Sequence, residues 1–380
     1  MQKAVVIENV GKPAVVVDRP IPEPDENHLL VRVTATSCKS YTFARKVSKF
    51  EQRSVESADA RSVNPVDQKT RDEGLFFKQA SQVIGHELAG EVTKLGRAVD
   101  RTRFVIGDHI FAQADFVPGH IQTDTGTLQQ YALVNVRFAA KVSDAGLTDE
   151  EATTIPVCAI ASFIALFHST GMGLPIPPAV HETSSVPVGL EHKAILIIGG
   201  GSNCGRFAIQ FAKLVGFSKI VTIASANSFA QLKQLGATHL VDRHIGFDLI
   251  IQQVRAITGD DLIYAFDAVN TGSMQDIGLF ALSNTKKGCL VTLNRPSTQD
   301  SRAAIPPQQT GRHERKMTFG FSALYPEEAA IFWETIARWV RLGAIKPLQF
   351  STADGFDIAR INSILDGYRD GQGQKVVLKL

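Results

Sequence analysis

Residues 197–213 read IIGGGSNCGRFAIQFAK: an apolar run, a glycine-rich turn, then a segment with Phe207, Ile209 and Phe211 among its apolar positions. A turn of this composition aims bare peptide N–H groups and the positive end of a helix at one point, an arrangement that binds pyrophosphate. Gly199, Gly200 and Gly201 are read as leaving the backbone open, because a Cβ would stand where phosphate must approach, at Gly200 above all. Ser202, Asn203, Cys204 and Gly205 complete the turn. Since the turn joins a strand to a helix within a β-α-β repeat, the expected ligand is a dinucleotide.

The second strand of that repeat, KIVTIAS, ends at Ser225, twenty residues after Gly205. An NAD site usually carries Asp or Glu there to hold the ribose hydroxyls. The stretch IASANS has no acid. Ser225, Asn227 and Ser228 can instead donate hydrogen bonds to a 2′-phosphate, which a carboxylate would repel. The expected cofactor is therefore NADPH in preference to NADH.

Metal chemistry has thinner support. His86 and Glu87 stand in GHELAGEV, and the four cysteines, Cys38, Cys158, Cys204 and Cys289, are scattered without a CxxC pair. Such spacing suits neither a disulfide frame nor a structural zinc lobe; it fits a reducing compartment, so a cytoplasmic protein is expected. Lys and Arg number 40 against 38 Asp and Glu, which argues against nucleic acid or an anionic membrane as partner. The longest apolar stretch, near 155–167, reads as too short to span a bilayer. The N-terminus lacks the basic start and long apolar core of a signal peptide.

These residues need two kinds of scaffold. Over 1–150, short β-like runs such as AVVIE, AVVVD, LLVRVTA and LQQYALV alternate with turns rich in Gly, Pro and Asp, which reads as an antiparallel or barrel-like β domain. DEEATTIPVCAIASFIALFHS follows as one expected helix, its acids favouring the N-terminal dipole. From KAILIIG to CLVTLN, apolar strands alternate with helices, the pattern of a doubly wound parallel sheet. The tail reads as one long helix, EEAAIFWETIARWVRLG, and a final strand, KVVLKL.

A β domain, then a nucleotide domain, then a returning tail resembles the medium-chain dehydrogenase/reductase family. Local matches are GHELAGEV, the turn at Gly107 and Asp108, GGGSNCG, LGATHLVD, FDAV and KVVLKL. The resemblance implies an α/β fold: a GroES-like β-rich catalytic domain over 1–155, a Rossmann doubly wound parallel-sheet domain over 156–303, and a return to the catalytic domain over 304–380. It also implies substrate in the cleft between the two domains. Zinc members of the family hold the metal through a Cys, the His of a GHE motif, and a later Cys or acid. Here Asn64 stands at the first of those places, and Val157 falls at the third, with Cys158 one position away. One ligand in three does not hold zinc, so no metal is expected.

NPVDQK instead resembles the zinc-independent branch of quinone, alkenal and fungal polyketide enoyl reductases, and GGGSNCG and LPIPP resemble the last group best. By that resemblance Asn64 and Lys69 face the nicotinamide and substrate. The implied activity is NADPH-dependent reduction of an α,β-unsaturated carbonyl, an enoyl thioester or a quinone, with a small-molecule substrate such as a polyketide or other enone, in a monomer or homodimer. The cofactor carries the hydride and the protein aligns it. A zinc-type alcohol dehydrogenase and a cofactor-binding protein without turnover stay open as alternatives. Residues 37–61 interrupt the approach to NPVDQK with a polar run; they are expected to be an insertion foreign to the fold, translated intron sequence being the leading source.

Overall fold

A computed structural model of the 380-residue chain describes residues 1–38, 65–77, 80–115, 124–177, 189–295, 313–370 and 375–380. The N-terminal part is built on strands β1 (Gln2–Ile7), β2 (Val15–Arg19) and β3 (His28–Cys38), helix α1 (Pro65–Glu73), and strands β4 (Gln82–Val83), β5 (Glu87–Leu95), β6 (His109–Gln113), β7 (Tyr131–Asn135) and β8 (Ala139–Lys141). β3 organises it. Leu29, Val31, Val33 and Ala35 are buried on one face, and on the other Leu30 and Thr36 are buried too while Arg32 is exposed. One edge of β3 pairs with β5. The other is shared, with β7 against His28 to Arg32 and the chain's last strand against Ala35 to Cys38.

Short helices α2 (Val142–Ala145) and α3 (Asp149–Ala152) and the longer α4 (Pro156–Phe167) lead into the second part. The single helix expected over 149–169 is thus two. Thr148 closes a capping box with Glu151 on α3, and Pro156, which has no N–H and crowds the residue before it, forces a fresh start. Taken together, Asp149–Phe167 is long and apolar enough to cross a membrane by length and composition, yet 83% of that window is buried inside the protein. Every residue of α4 is buried, so its apolar character serves the core.

The second part alternates β9 (Ala194–Ile198), α5 (Asn203–Leu214), β10 (Lys219–Ala224), α6 (Phe229–Leu235), β11 (His239–Asp242), α7 (Phe247–Thr258), β12 (Tyr264–Asp267), α8 (Asp276–Ala281), β13 (Cys289–Thr292) and β14 (Glu314–Met317). The sheet is parallel throughout, in the order β11-β10-β9-β12-β13-β14. That is the doubly wound order, with its chain reversal at β9. β9 is buried on both faces: Ile195 and Ile197 join one core with α4 and α5, while Ala194, Leu196 and Ile198 join another with α7 and α8. Through β14 the sheet runs on to Met317, beyond residue 303.

The tail carries α9 (Pro326–Arg341), β15 (Ser351–Asp354), α10 (Ile358–Arg369) and β16 (Val376–Lys379). α10 is a second tail helix that the sequence reading did not include; it buries Ile361, Ile364, Leu365 and Tyr368 along one stripe. β16 is the strand that closes onto β3. In doing so it pairs with Ser37 and Cys38, so the first two residues of the suspected insertion belong to the sheet; residues 39–61 lie outside the described residues.

Candidate functional site

The glycine-rich turn 199–205 follows β9 and runs into α5. Ser202 is the N-cap of α5, its Oγ accepting the Gly205 N–H at 2.9 Å. A Cβ on Gly205 would stand 2.2 Å from the Gly199 carbonyl, so glycine there lets the helix start against the turn. Gly200 behaves differently from the sequence reading. A Cβ on it would meet Thr222 Cγ2 at 2.0 Å and Ile209 Cδ1 at 3.3 Å, both inside the protein. Its missing side chain makes room for β10 and not for a phosphate. Gly201 faces the open side, with only Ser228 within 4 Å of a built Cβ. Asn203, in the first turn of α5, is buried, and its Nδ2 has no partner among the described residues. An orphaned donor beside a helix N-terminus fits a phosphate oxygen. Cys204 is buried at the same turn, so it offers the site backbone in place of a thiol.

Ser225 follows the last residue of β10, where a dinucleotide site holds the adenosine ribose. Asn227 beside it is exposed. Ser228 is a weaker donor than the sequence suggested, because its Oγ already donates to the Ser225 carbonyl at 2.7 Å.

At the other half of the sheet, the carboxyl ends of β12 and β13 are tied together. Asp267 Oδ1 accepts the N–H groups of Val269 and Asn270 at 3.0 and 2.9 Å. Burial pushes its carboxyl up to about 6 despite those two donors. Gln275 Nε2 donates to the carbonyls of Asn270 and Asn294, and Asn294 Nδ2 donates to that of Val269 at 3.1 Å. Lys69 comes to this corner from the β-rich part: its Nζ lies 3.5 Å from Asn294 Oδ1, 225 residues away in sequence. NPVDQK therefore delivers Lys69 from α1 to the carboxyl edge of the parallel sheet. Asn64 lies outside the described residues.

The metal question turns on α1, β5 and α4. Asp67 Oδ1 accepts the Gly85 N–H at 2.8 Å and lies 2.9 Å from His86 Nδ1, with both side chains under 10% exposed. Glu87 Oε1 forms a buried ion pair with Lys375, and Oε2 accepts the Val157 N–H at 2.9 Å. Val157, the position matched to the third zinc ligand in sequence, thus has its backbone N–H engaged by Glu87. Among the described residues no three His, Cys, Asp or Glu form a group that could hold a metal ion. Burial opposes a charge on Lys375, but Glu87, with Cys158 and Cys204, holds the ammonium above its ordinary range.

Asn294, Asp267 and Lys375 were not identified from sequence. FDAV and KVVLKL contained two of them, but nothing local in either motif told which groups those side chains would meet.

Residues 57–144 match the family described as alcohol dehydrogenase GroES-like domain, and residues 204–338 match zinc-binding dehydrogenase. A zinc-type alcohol dehydrogenase-like protein of Schizosaccharomyces pombe is 23% identical over 361 residues, covering 93% of this chain and 92% of that one. A trans-enoyl reductase of Penicillium oxalicum is 28% identical over 313 residues, covering 80% and 74%. Among solved structures, a mycobacterial protein complexed with NADPH superposes with a TM-score of 0.69 at 17% identity, covering 100% of both chains.

Proposed function

Because the chain belongs to the medium-chain dehydrogenase/reductase family, we propose that it reduces an α,β-unsaturated carbonyl, an enoyl thioester or a quinone with NADPH and without a metal. The observation that carries this reading is the Lys69 ammonium at Asn294, a cation set where a doubly wound sheet binds its ligand. The turn 199–205, with Asn203 as a buried donor, would hold the diphosphate, and Ser225 and Asn227 would border the adenosine ribose. Bound there, a reduced nicotinamide supplies a hydride. Lys69 donates a hydrogen bond to the carbonyl oxygen and stabilises the negative charge that develops on it. The α-carbon then takes a proton from solvent. The engagement of Glu87 with Lys375 and Val157 supports chemistry without zinc. The trans-enoyl reductase relative supports the acceptor class. Cys158, Cys204 and Cys289 form no disulfide, which is compatible with the cytoplasmic placement expected from sequence.

The test is NADPH consumption across a panel of enals, enones, quinones and enoyl thioesters, with Lys69→Met beside the wild type. Turnover of a panel member should fall about 10²- to 10³-fold in kcat in the variant, while calorimetry gives unchanged NADPH affinity. Wild-type protein that binds NADPH and consumes it with no acceptor in the panel overturns the reading. His86 and the S. pombe relative favour a second reading, a zinc alcohol dehydrogenase. Stoichiometric zinc that supports alcohol oxidation would establish it.

A further inference from the structure

The parallel register of β10 and β11 pairs Ala224 with Asp242, so the next residue of each strand, Ser225 and Arg243, meet at the sheet's carboxyl edge. The Arg243 N–H donates to the Ala224 carbonyl at 3.0 Å, which fixes the backbone there. The Arg243 side chain is exposed, and no ion pair of its guanidinium is formed among the described residues. It is nevertheless held. Nε donates to His244 Nε2 at 3.1 Å. With Nε2 accepting, the proton of that ring sits on Nδ1, which donates to Asp242 Oδ1 at 2.9 Å. The same carboxylate oxygen accepts the His244 N–H at 3.2 Å. Asp242 thus orients the imidazole and the imidazole orients the guanidinium. Both Nη groups are left without a hydrogen bond among the described residues, in the planar fork that matches a phosphate.

We propose that Arg243, positioned by His244 and Asp242, binds the 2′-phosphate of NADPH and sets the choice between the two nicotinamide cofactors. The inference rests on the NADPH reading above. Ser225 and Asn227 lack a charge, and Ser228 has committed its hydroxyl proton to backbone, whereas Arg243, tied to the end of β10 through the Ala224 carbonyl, brings a positive charge that can neutralise a dianion. A sequence window around IASANS does not contain it, because β11 lies a whole helix further along the chain.

Calorimetric titration of the intact protein with 2′,5′-ADP and with 5′-AMP tests this without turnover. Wild type should bind 2′,5′-ADP the more tightly. Arg243→Gln should lose roughly ten- to a hundredfold of that affinity and keep its affinity for 5′-AMP, the range expected for a hydrogen bond to a charged group. His244→Phe should lose roughly three- to tenfold on 2′,5′-ADP alone, and His244→Gln, which retains an acceptor, should restore it. If wild type prefers 2′,5′-ADP but Arg243→Gln keeps that preference, or loses both ligands equally, the assignment of Arg243 falls while the NADPH reading stands. If wild type shows no preference for 2′,5′-ADP, the NADPH reading falls and the assignment with it.

Discussion

Replacing Asp267 by Asn should make the variant's stability relative to wild type rise between pH 4.5 and pH 8. Asp267 is fully enclosed at the end of β12; its Oδ1 is satisfied by two peptide N–H groups, and its Oδ2 is buried without a partner among the described residues. Burial raises the carboxyl from 3.8 to about 6. Between those values the folded state keeps a proton that the unfolded state has released, so stability falls as pH rises through the window and stays low above it. The full gap is worth about 3 kcal/mol at pH 8 and about 1 kcal/mol at pH 4.5, leaving about 2 kcal/mol of pH-dependent difference. Asn keeps the Oδ1 acceptor and never ionises. Its amide nitrogen takes the orphan position of Oδ2 and costs about 1–3 kcal/mol, but equally at both pH values. The sign of the variant's effect at one pH is therefore less informative than its change between the two. Differential scanning calorimetry should find the variant-minus-wild-type Tm roughly 2–4 °C larger at pH 8 than at pH 4.5. A difference that does not grow with pH would refute the assignment of a buried, ionising carboxyl to this turn.

Gly200→Ala should destabilise the protein by about 1–3 kcal/mol through its clash with Thr222 Cγ2; adding Thr222→Ser, which removes that methyl, should recover most of the loss in Tm, whereas a block at the phosphate would leave Tm alone. Lys375→Met should cost about 3–5 kcal/mol by stranding the buried Glu87 carboxylate, and Lys375→Met with Glu87→Gln should cost less than the single change, as a double-mutant cycle in Tm will read. Burial lowers the His28 pKa, but Asp115 and Asp25 outweigh it and raise it above 6.5. That contact therefore contributes stability fully present below pH 6.5 and lost as pH rises through the raised value, a slope that His28→Gln should remove from the Tm-versus-pH profile. Ser225→Asp should move the ratio of kcat/KM for the two cofactors toward NADH, and an unchanged ratio would show that Ser225 does not border the adenosine ribose.

Much of the architecture was legible along the chain because it depends on short-range periodicity. Runs such as AILII are apolar at every position only if a strand is covered on both faces, and the spacing of Phe207 and Phe211 is that of a helix packed on such a sheet. Those patterns identified the parallel-sheet domain and placed the glycine-rich turn between a strand and a helix. Local chemistry misled where two signals competed: the segment from 149 onward read as one helix until Pro156 divided it, and α10 was overlooked although Ile361, Ile364, Leu365 and Tyr368 keep the spacing of one helix face. What tertiary structure alone decided is which distant groups meet. Lys375 reaches Glu87 across 288 residues, and Lys69 reaches Asn294 across 225. Arg243 stands beside Ser225 only through the register of two strands separated by α6. Even the direction of an absent side chain, Gly200 toward Thr222, is set by how β10 packs against the turn. A sequence carries residue types and their spacing along one dimension; the contacts that place a charge opposite a ligand arise from the packing of separate elements, and no local pattern encodes them.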